Sequence, residues 1–286
     1  MKEIRLYDYQ TEMKERIDTA FRSYQSVMVQ MPTGTGKTVL LAEQVKSEER
    51  RVKNPCVWIV VHRRELVEQI RETLDTMMNS FSTSGTTPSL LSENSRIKVM
   101  SIQWLSRHYQ DMAEKPSLIV IDEAHHAVAK TYAEVMNAYT EAKKLGVTAT
   151  PCRLNKKGFT DLFDVLLQSW PTKKFIADGR LSLYDYMSIK ADSIDQRMVF
   201  GLTKRGADGD FSLKEMSEKL DVQPSIERLC DTILRYAPNK KGIVYAIDIK
   251  HAEHIAEHYR EHGINAVAIS SKTPNDERRL TIAKFK

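Results

Sequence analysis

Val27-Met28-Val29-Gln30-Met31-Pro32-Thr33-Gly34-Thr35-Gly36-Lys37-Thr38-Val39-Leu40-Leu41 is the stretch on which the reading of this chain turns. Its first five residues are an apolar run of strand character, and Lys37 onward opens a helix. The turn between them carries two glycines. Gly34 and Gly36 let the backbone curl so that successive N–H groups point inward at anionic oxygens. The helix that begins near Lys37 adds its positive end. Lys37 supplies a point charge for the outer phosphates of a nucleotide, and the Thr38 hydroxyl is a ligand for Mg²⁺. Thr33, Gly34, Thr35, Gly36, Lys37 and Thr38 are therefore the candidate phosphate-binding set. The strict pattern G-x-x-x-x-G-K-[ST] is met except at its first position, where Met31 stands in place of glycine.

Outward from this loop, short apolar runs alternate with amphipathic stretches. Cys56 to Val61, Ile97 to Ser101, Leu118 to Ile121 and Leu145 to Thr148 read as further strands, apolar nearly throughout, as expected of strands covered on both faces. Met13, Ile17, Ala20, Phe21 and Tyr24 share one face of a first helix, with Asp8 as its N-cap. Leu66, Val67, Ile70, Leu74 and Met77 do the same for another. This alternation predicts an α/β fold, a parallel sheet with helices on both faces. From about Pro151 to Asn239 the pattern thins, with a helix expected around Ile226 to Leu234 and a loop at Lys204 to Gly209. It restarts with strands at Gly242 to Ala246 and Ile264 to Ile269, and helices at His251 to Glu261 and from Asn275 on. The domains read as 1–170, a connector 171–239, and 240–286 as the start of a second domain.

Leu118-Ile-Val-Ile-Asp122-Glu123-Ala124-His125-His126 sets two carboxylates at the C-terminal end of an apolar strand, where open α/β sheets bind ligands. Phosphoryl transfer needs one carboxylate for Mg²⁺ and one group to orient water, roles that suit Asp122 and Glu123. Adjacent histidines point in different directions and have no third ligand at metal spacing, so His125 and His126 read as structural or coupling groups.

Composition sets outer bounds. Of 286 residues, 43 are Lys or Arg and 38 Asp or Glu, a net charge of +5 that permits a polyanionic partner without requiring one. Cys56, Cys152 and Cys230 are odd in number and widely spaced, with neither zinc spacing nor a disulfide framework, which suggests a reducing, cytoplasmic setting. The N-terminus lacks the apolar core of a signal peptide, and no apolar run reaches the length of a membrane span.

Taken in order, Leu6-Tyr-Asp-Tyr9-Gln10, Met31 to Thr38, Val60-Val-His-Arg-Arg-Glu65-Leu66, Ser101-Ile-Gln103, Asp122 to His126 and Thr148-Ala-Thr150-Pro151 resemble the motifs of superfamily 2 helicase-type ATPases. The resemblance is to the DEAH-like branch that includes RadD-type proteins, type III restriction motor subunits and XPB-like translocases. It implies a RecA-like sheet followed by the beginning of a second RecA-like domain at Gly242 to Ala246. It implies ATP and Mg²⁺ as cofactors, and a nucleic acid, DNA more than RNA, as partner. Gln10 would read the adenine edge, and Arg5 or Tyr7 would stack on the base, since Tyr7 holds the place of a family arginine. Lys37, Asp122 and Glu123 would be catalytic, with Thr38 and Asp122 on the metal. Thr148 and Thr150, with His125, would couple nucleotide state to the nucleic acid. Arg63, Arg64, Ser101, Gln103 and Ser270 would contact its backbone, giving sequence-tolerant, salt-sensitive binding. The family's arginine fingers lie in a later motif. The chain stops at Lys286 before it, so Arg278 and Arg279 are not read as fingers, and the sequence is expected to be a piece of a longer protein with weak hydrolysis alone. A nucleotide-switched adaptor without stepping and an RNA helicase are the competing readings. An unrelated P-loop kinase would not need the later motifs.

Overall fold

The computed structural model describes residues 5–62, 65–79, 96–127, 130–151, 162–188, 190–206 and 210–285. Its contacts divide the chain into two units, Met1–Tyr184 and Asp185–Lys286. The first unit runs α1 (Asp8–Ala20), β1 (Ser26–Gln30), α2 (Lys37–Arg51), β2 (Val57–Val61), α3 (Glu65–Asn79), β3 (Ile97–Ser101), α4 (Ile102–His108), β4 (Leu118–Asp122), α5 (Lys130–Ala138), β5 (Lys143–Thr148), β6 (Val165–Gln168) and α6 (Thr172–Ala177). The second contains α7 (Ile194–Phe200), α8 (Leu213–Leu220), α9 (Gln223–Tyr236), α10 (Ile249–Glu261) and α11 (Asn275–Phe285).

The six strands form one sheet in the order β3-β2-β4-β5-β1-β6, parallel at every pairing. Side chains alternate across a strand, and here both faces are buried. Val27, Val29, Val57, Ile59, Val61, Val120 and Val147 face one core with Met13 and Ile17 of α1, Leu40 and Val45 of α2, and Leu74 of α3. Met28, Trp58, Val60, Ile119 and Ile121 face the other with Leu105 of α4 and Tyr132 and Val135 of α5. That double burial is why the strands read as unbroken apolar runs. Each fully buried side chain of this size contributes about 1.5–3 kcal/mol.

The α/β fold and five of the strands follow the sequence reading. Three details differ. The helix α1 begins at Asp8 with Tyr7 as its cap residue, and the Gln10 side chain closes the start by accepting from the Tyr7 N–H at 2.9 Å. Asp8 is thus already inside the helix. A sixth strand, β6, lies inside the stretch where the strand pattern thins. It is clamped to β1 by Asp164, whose carboxylate accepts the Ser26 and Gln25 N–H groups at 2.8 and 3.1 Å. In the second unit, the segments 242–246 and 264–269 carry no ladder bonds among the described residues, and Ile243 and Tyr245 are exposed. A β-rich sequence makes a strand only where a neighbour supplies the ladder. The helices expected there form as α9, α10 and α11.

Gly146 of β5 is tightly packed behind the functional edge. A Cβ at this position would fall 2.5 Å from Phe163 Cζ and 2.8 Å from Ala124 Cβ. Ala124 belongs to the turn after Asp122, so a side chain on Gly146 pushes directly on that turn. Gly146→Ala is expected to lower stability by about 1–3 kcal/mol, read as a shift of the urea midpoint at unchanged m-value.

Candidate functional site

The fold brings three strand ends side by side. Thr148 of β5 is in register with Gln30 of β1, and Val147 with Asp122 of β4. The loop after β1, the acids after β4 and the threonines after β5 therefore share the C-terminal edge of the sheet, where such sheets bind ligands.

In the loop, Gly34 and Gly36 both take left-handed backbone angles, φ +84° and +80°. Gly36 precedes Lys37 as the cap residue of α2, and no side chain caps the helix, which leaves its first amides to a ligand. Thr35 is buried and its hydroxyl donates to the Pro32 carbonyl at 2.7 Å, closing the turn. The backbone thus fits a chain of phosphates.

Two side chains of α1 hold the loop from behind. The Tyr9 hydroxyl and the Gln10 amide both donate to the Thr35 carbonyl at 3.1 Å. Gln10 is only 2 % exposed. Its Nε2 also reaches the Gly36 carbonyl at 3.5 Å, while Oε1 is taken by the Tyr7 N–H. Adenine reading was expected of this amide; in the structure it ties α1 to the loop. Tyr9 is fixed in turn by Trp170 and Phe175, at ring distances of 5.6 and 4.8 Å.

At the acidic end, Glu123 turns the chain with φ +49°, an uncommon angle for a residue with a side chain. Burial and then the Glu123 charge push the Asp122 carboxyl above the ordinary aspartate range, with the Glu123 N–H and the Lys37 ammonium pulling the other way. His125 Nδ1 lies 3.3 Å from Glu123 Oε2 and 2.9 Å from Thr148 Oγ1. The Thr148 hydroxyl donates to the Thr150 carbonyl and accepts from the Thr150 N–H, each at 3.1 Å. A hydroxyl has one proton, so it accepts from His125, and Nδ1 is the protonated nitrogen. A continuous path runs from Glu123 through His125 to Thr148 and Thr150. Gln30 joins it by donating to the Ala149 carbonyl at 3.2 Å.

The remaining expected residues are more scattered. Ser101 is buried and caps α4, accepting from the Trp104 N–H at 3.3 Å. Gln103 donates to the His62 carbonyl at 2.6 Å, fixing the end of β2. Arg63 and Arg64 lie outside the described residues. Ser270, in the second unit, forms a turn with Lys272 and Thr273. One group at the loop had no signal in sequence. The Arg180 guanidinium sits 4.4 Å over the Tyr7 ring and 3.5 Å from Asp8. Its neighbour Leu181 comes within 3.1 Å of where a Gly34 Cβ would stand.

The family described as "Type III restriction enzyme, res subunit" matches residues 3–153. The "51.5 kDa protein" of Lactococcus phage (isolate 7-9) is 28% identical over 259 residues, 91% of this chain and 52% of the relative. The "DNA 3'-5' translocase XPB2" of Sulfurisphaera tokodaii is 23% identical over 321 residues, 99% of this chain and 68% of the relative. The solved structure of the ATP-dependent type ISP restriction-modification enzyme LlaBIII bound to DNA has the same fold, with a TM-score of 0.61 at 16% identity over 91% of this chain and 21% of that one. The chain spans about half the length of the first relatives it matches. Among the described residues no helix is long and apolar enough to cross a membrane.

Two expectations follow. Thr148→Val should cost about 0.5–1.5 kcal/mol, since it removes the hydroxyl's bonds to His125 and Thr150 while His125 keeps Glu123 and exposed Thr150 can turn to water, whereas Thr148→Ser keeps the hydroxyl and costs less; denaturation midpoints separate them. Asp122→Asn should stabilise the nucleotide-free protein. The folded chain holds the Asp122 proton more tightly than the unfolded chain. Stability due to this group is therefore full at low pH and is lost as pH rises through the raised value. The gain from Asn should appear at neutral pH and shrink toward acid, measured by melting temperature across that range.

Proposed function

The chain belongs to the type III restriction enzyme res-subunit family, among the superfamily 2 helicase-type ATPases, and from that premise we propose that it is an ATP-driven motor on nucleic acid, DNA by preference. Its cycle would couple hydrolysis to movement along the phosphate backbone. The observation that carries this reading is the convergence on one sheet edge of the phosphate loop, the Asp122–Glu123 turn and the hydroxyl path through Thr148.

In this reading the loop amides from Thr33 to Thr38 and the Lys37 ammonium hold the nucleotide's phosphates. Thr38 and Asp122 would hold a magnesium ion, which when bound neutralises charge on the outer phosphates. Glu123 orients the attacking water and takes its proton. The outer face of the Arg180 guanidinium, itself seated on the Tyr7 ring, would offer a flat surface for the base, and Gln10 reaches the base edge only by giving up a loop bond. His125 senses Glu123 and passes its state to Thr148 and Thr150. From there the path leads to the strand-end loops that would lie on the nucleic acid, with Arg63, Arg64 and Gln103 as backbone contacts, while buried Ser101 caps α4 and Ser270 of the second unit would make a contact of its own. Of the connector 171–239, α6 through Leu181 packs with the first unit; the remainder would serve as connector and 240–286 as the start of a second RecA-like domain.

The test is nucleotide binding and hydrolysis, each with and without DNA. Lys37→Ala should lose ATP binding, because the outer phosphates lose their mobile cation. Glu123→Gln should bind ATP–Mg²⁺ as before and lose about 10²–10⁴-fold in hydrolysis, since the amide accepts no proton. Unchanged hydrolysis by Glu123→Gln, or a wild-type rate indifferent to DNA, would count against the motor.

A further inference from the structure

A second constellation lies wholly within the unit Asp185–Lys286. Cys230 of α9 and His258 and His262 of α10 each present a donor atom, and the three donors lie within 4.8 Å of one another. Cys230 is 1 % and His258 6 % exposed, while His262 is exposed at the surface. The two histidines stand one helical turn apart and so share a face of α10, with rings 4.2 Å apart. The sulfur is carried under them by the apolar packing of Ile226 against Ile255 and Tyr259. The helices are thus held by hydrophobic contacts, and the donors converge without needing a ligand to gather them.

The outer contacts have the character of a ligand set. His262 Nδ1 lies 2.8 Å from the His258 carbonyl oxygen. A carbonyl only accepts, so Nδ1 carries the proton and Nε2 keeps a bare lone pair. A second hydrogen bond of this kind is what orients metal-binding histidines. His258 Nδ1 lies 3.3 Å from the Gln223 amide nitrogen, which is a donor, and 3.8 Å from the Glu261 carboxylate, so it is His262 whose bare nitrogen is set by its hydrogen bond. Thiolate and imidazole are soft and borderline donors, matched to zinc-class cations and poorly suited to Mg²⁺ or Ca²⁺.

We propose that Cys230, His258 and His262 form a binding site for a divalent cation of the zinc class, with a fourth position open to water on the exposed His262 side. Three protein ligands plus water is a familiar zinc arrangement. At metal–ligand distances of about 2.0–2.3 Å the donors around one ion stand under about 4 Å apart, so binding draws them closer. Exposed His262 can make that adjustment by side-chain rotation. Binding exchanges the S–H bond for a sulfur–metal bond and releases the proton to solvent. Because a proton leaves as the metal enters, affinity should rise with pH. The site would clasp α9 to α10, and it stands apart from the nucleotide reading, which could fail while this holds.

The reduced full chain would be titrated with Co²⁺ alone, then with Zn²⁺ in competition. One equivalent of Co²⁺ should give a near-ultraviolet thiolate-to-metal charge-transfer band with strong visible bands of a four-coordinate ion, and Zn²⁺ should erase both while excess Mg²⁺ does not. His262→Ala, a surface change, should weaken binding by more than the about 10–100-fold typical of losing an outer-shell partner. Zn²⁺ should shield Cys230 from alkylation in the wild-type chain, read by peptide mass, so a poorly folding Cys230→Ser variant would not leave the question open. Absence of the charge-transfer band, equal affinity in His262→Ala, or unshielded Cys230 would each overturn the site.

Discussion

Everything at the functional edge depends on β5 lying between β1 and β4. The strand that leads into the phosphate loop, β1, and the strand that ends in the acids, β4, do not pair with each other; both pair with β5. Their separation is therefore set by two interstrand spacings of about 4.8 Å each, which is room for phosphate groups and a hydrated cation. It also puts whatever follows β5 in the centre. Thr148, fully buried, occupies that place because the register sets it beside Gln30 and one step past the Asp122 pair. A rigid ladder thus fixes the spacing at which the flexible groups must work, and Gly146 is the position where β5 gives the acidic turn room to approach.

The site's electrostatics follow from the same crowding. Asp122 and Glu123 are adjacent carboxylates, and Asp122 is largely withdrawn from water, so its charged form is costly. Lys37 offsets part of that cost from the neighbouring loop. Glu123 faces the His125 ring, its Oε2 3.3 Å from Nδ1. Each acid thus leans on a different neighbour, Asp122 toward the phosphate loop and Glu123 toward the threonine path. That division gives two adjacent residues two different chemical environments, which is what separate roles in metal holding and water activation require.

How far the sequence reached depended on the range of the interactions involved. Strands β1 to β5 were legible because both faces of each are buried, so apolar character needs no partner to be seen. The loop and the acids were legible because strand, turn and helix are contiguous. β6 was not, because Val165–Gln168 is short and its place depends on Asp164 reaching Ser26 across the sheet. Arg180 over Tyr7 and Leu181 against Gly34 join residues far apart in the chain. Cys230 with His258 and His262 was missed for a similar reason: the histidine spacing is local, but the cysteine arrives from another helix. Errors ran in the other direction at 242–246 and 264–269, where β-rich sequence alone could not supply a ladder.

Gly36 shows why the loop and the first helix should be regarded as one device. Its φ of +80° already favours glycine. A Cβ there would also stand 2.3 Å from Gln10 Nε2, so any side chain at position 36 evicts the amide that holds the Thr35 carbonyl. Gln10 in turn closes the start of α1 through the Tyr7 N–H. The Tyr7 ring, stacked on Tyr9 at 5.7 Å and under Arg180, therefore takes its position from the same amide that steadies the phosphate loop. If a base settles on the outer face of Arg180 and draws Gln10 toward its edge, the loop loses a bond to α1 at the moment its amides gain phosphate oxygens. Base and phosphates would then be bound through a shared residue, and the loop's grip would depend on whether the correct base is present.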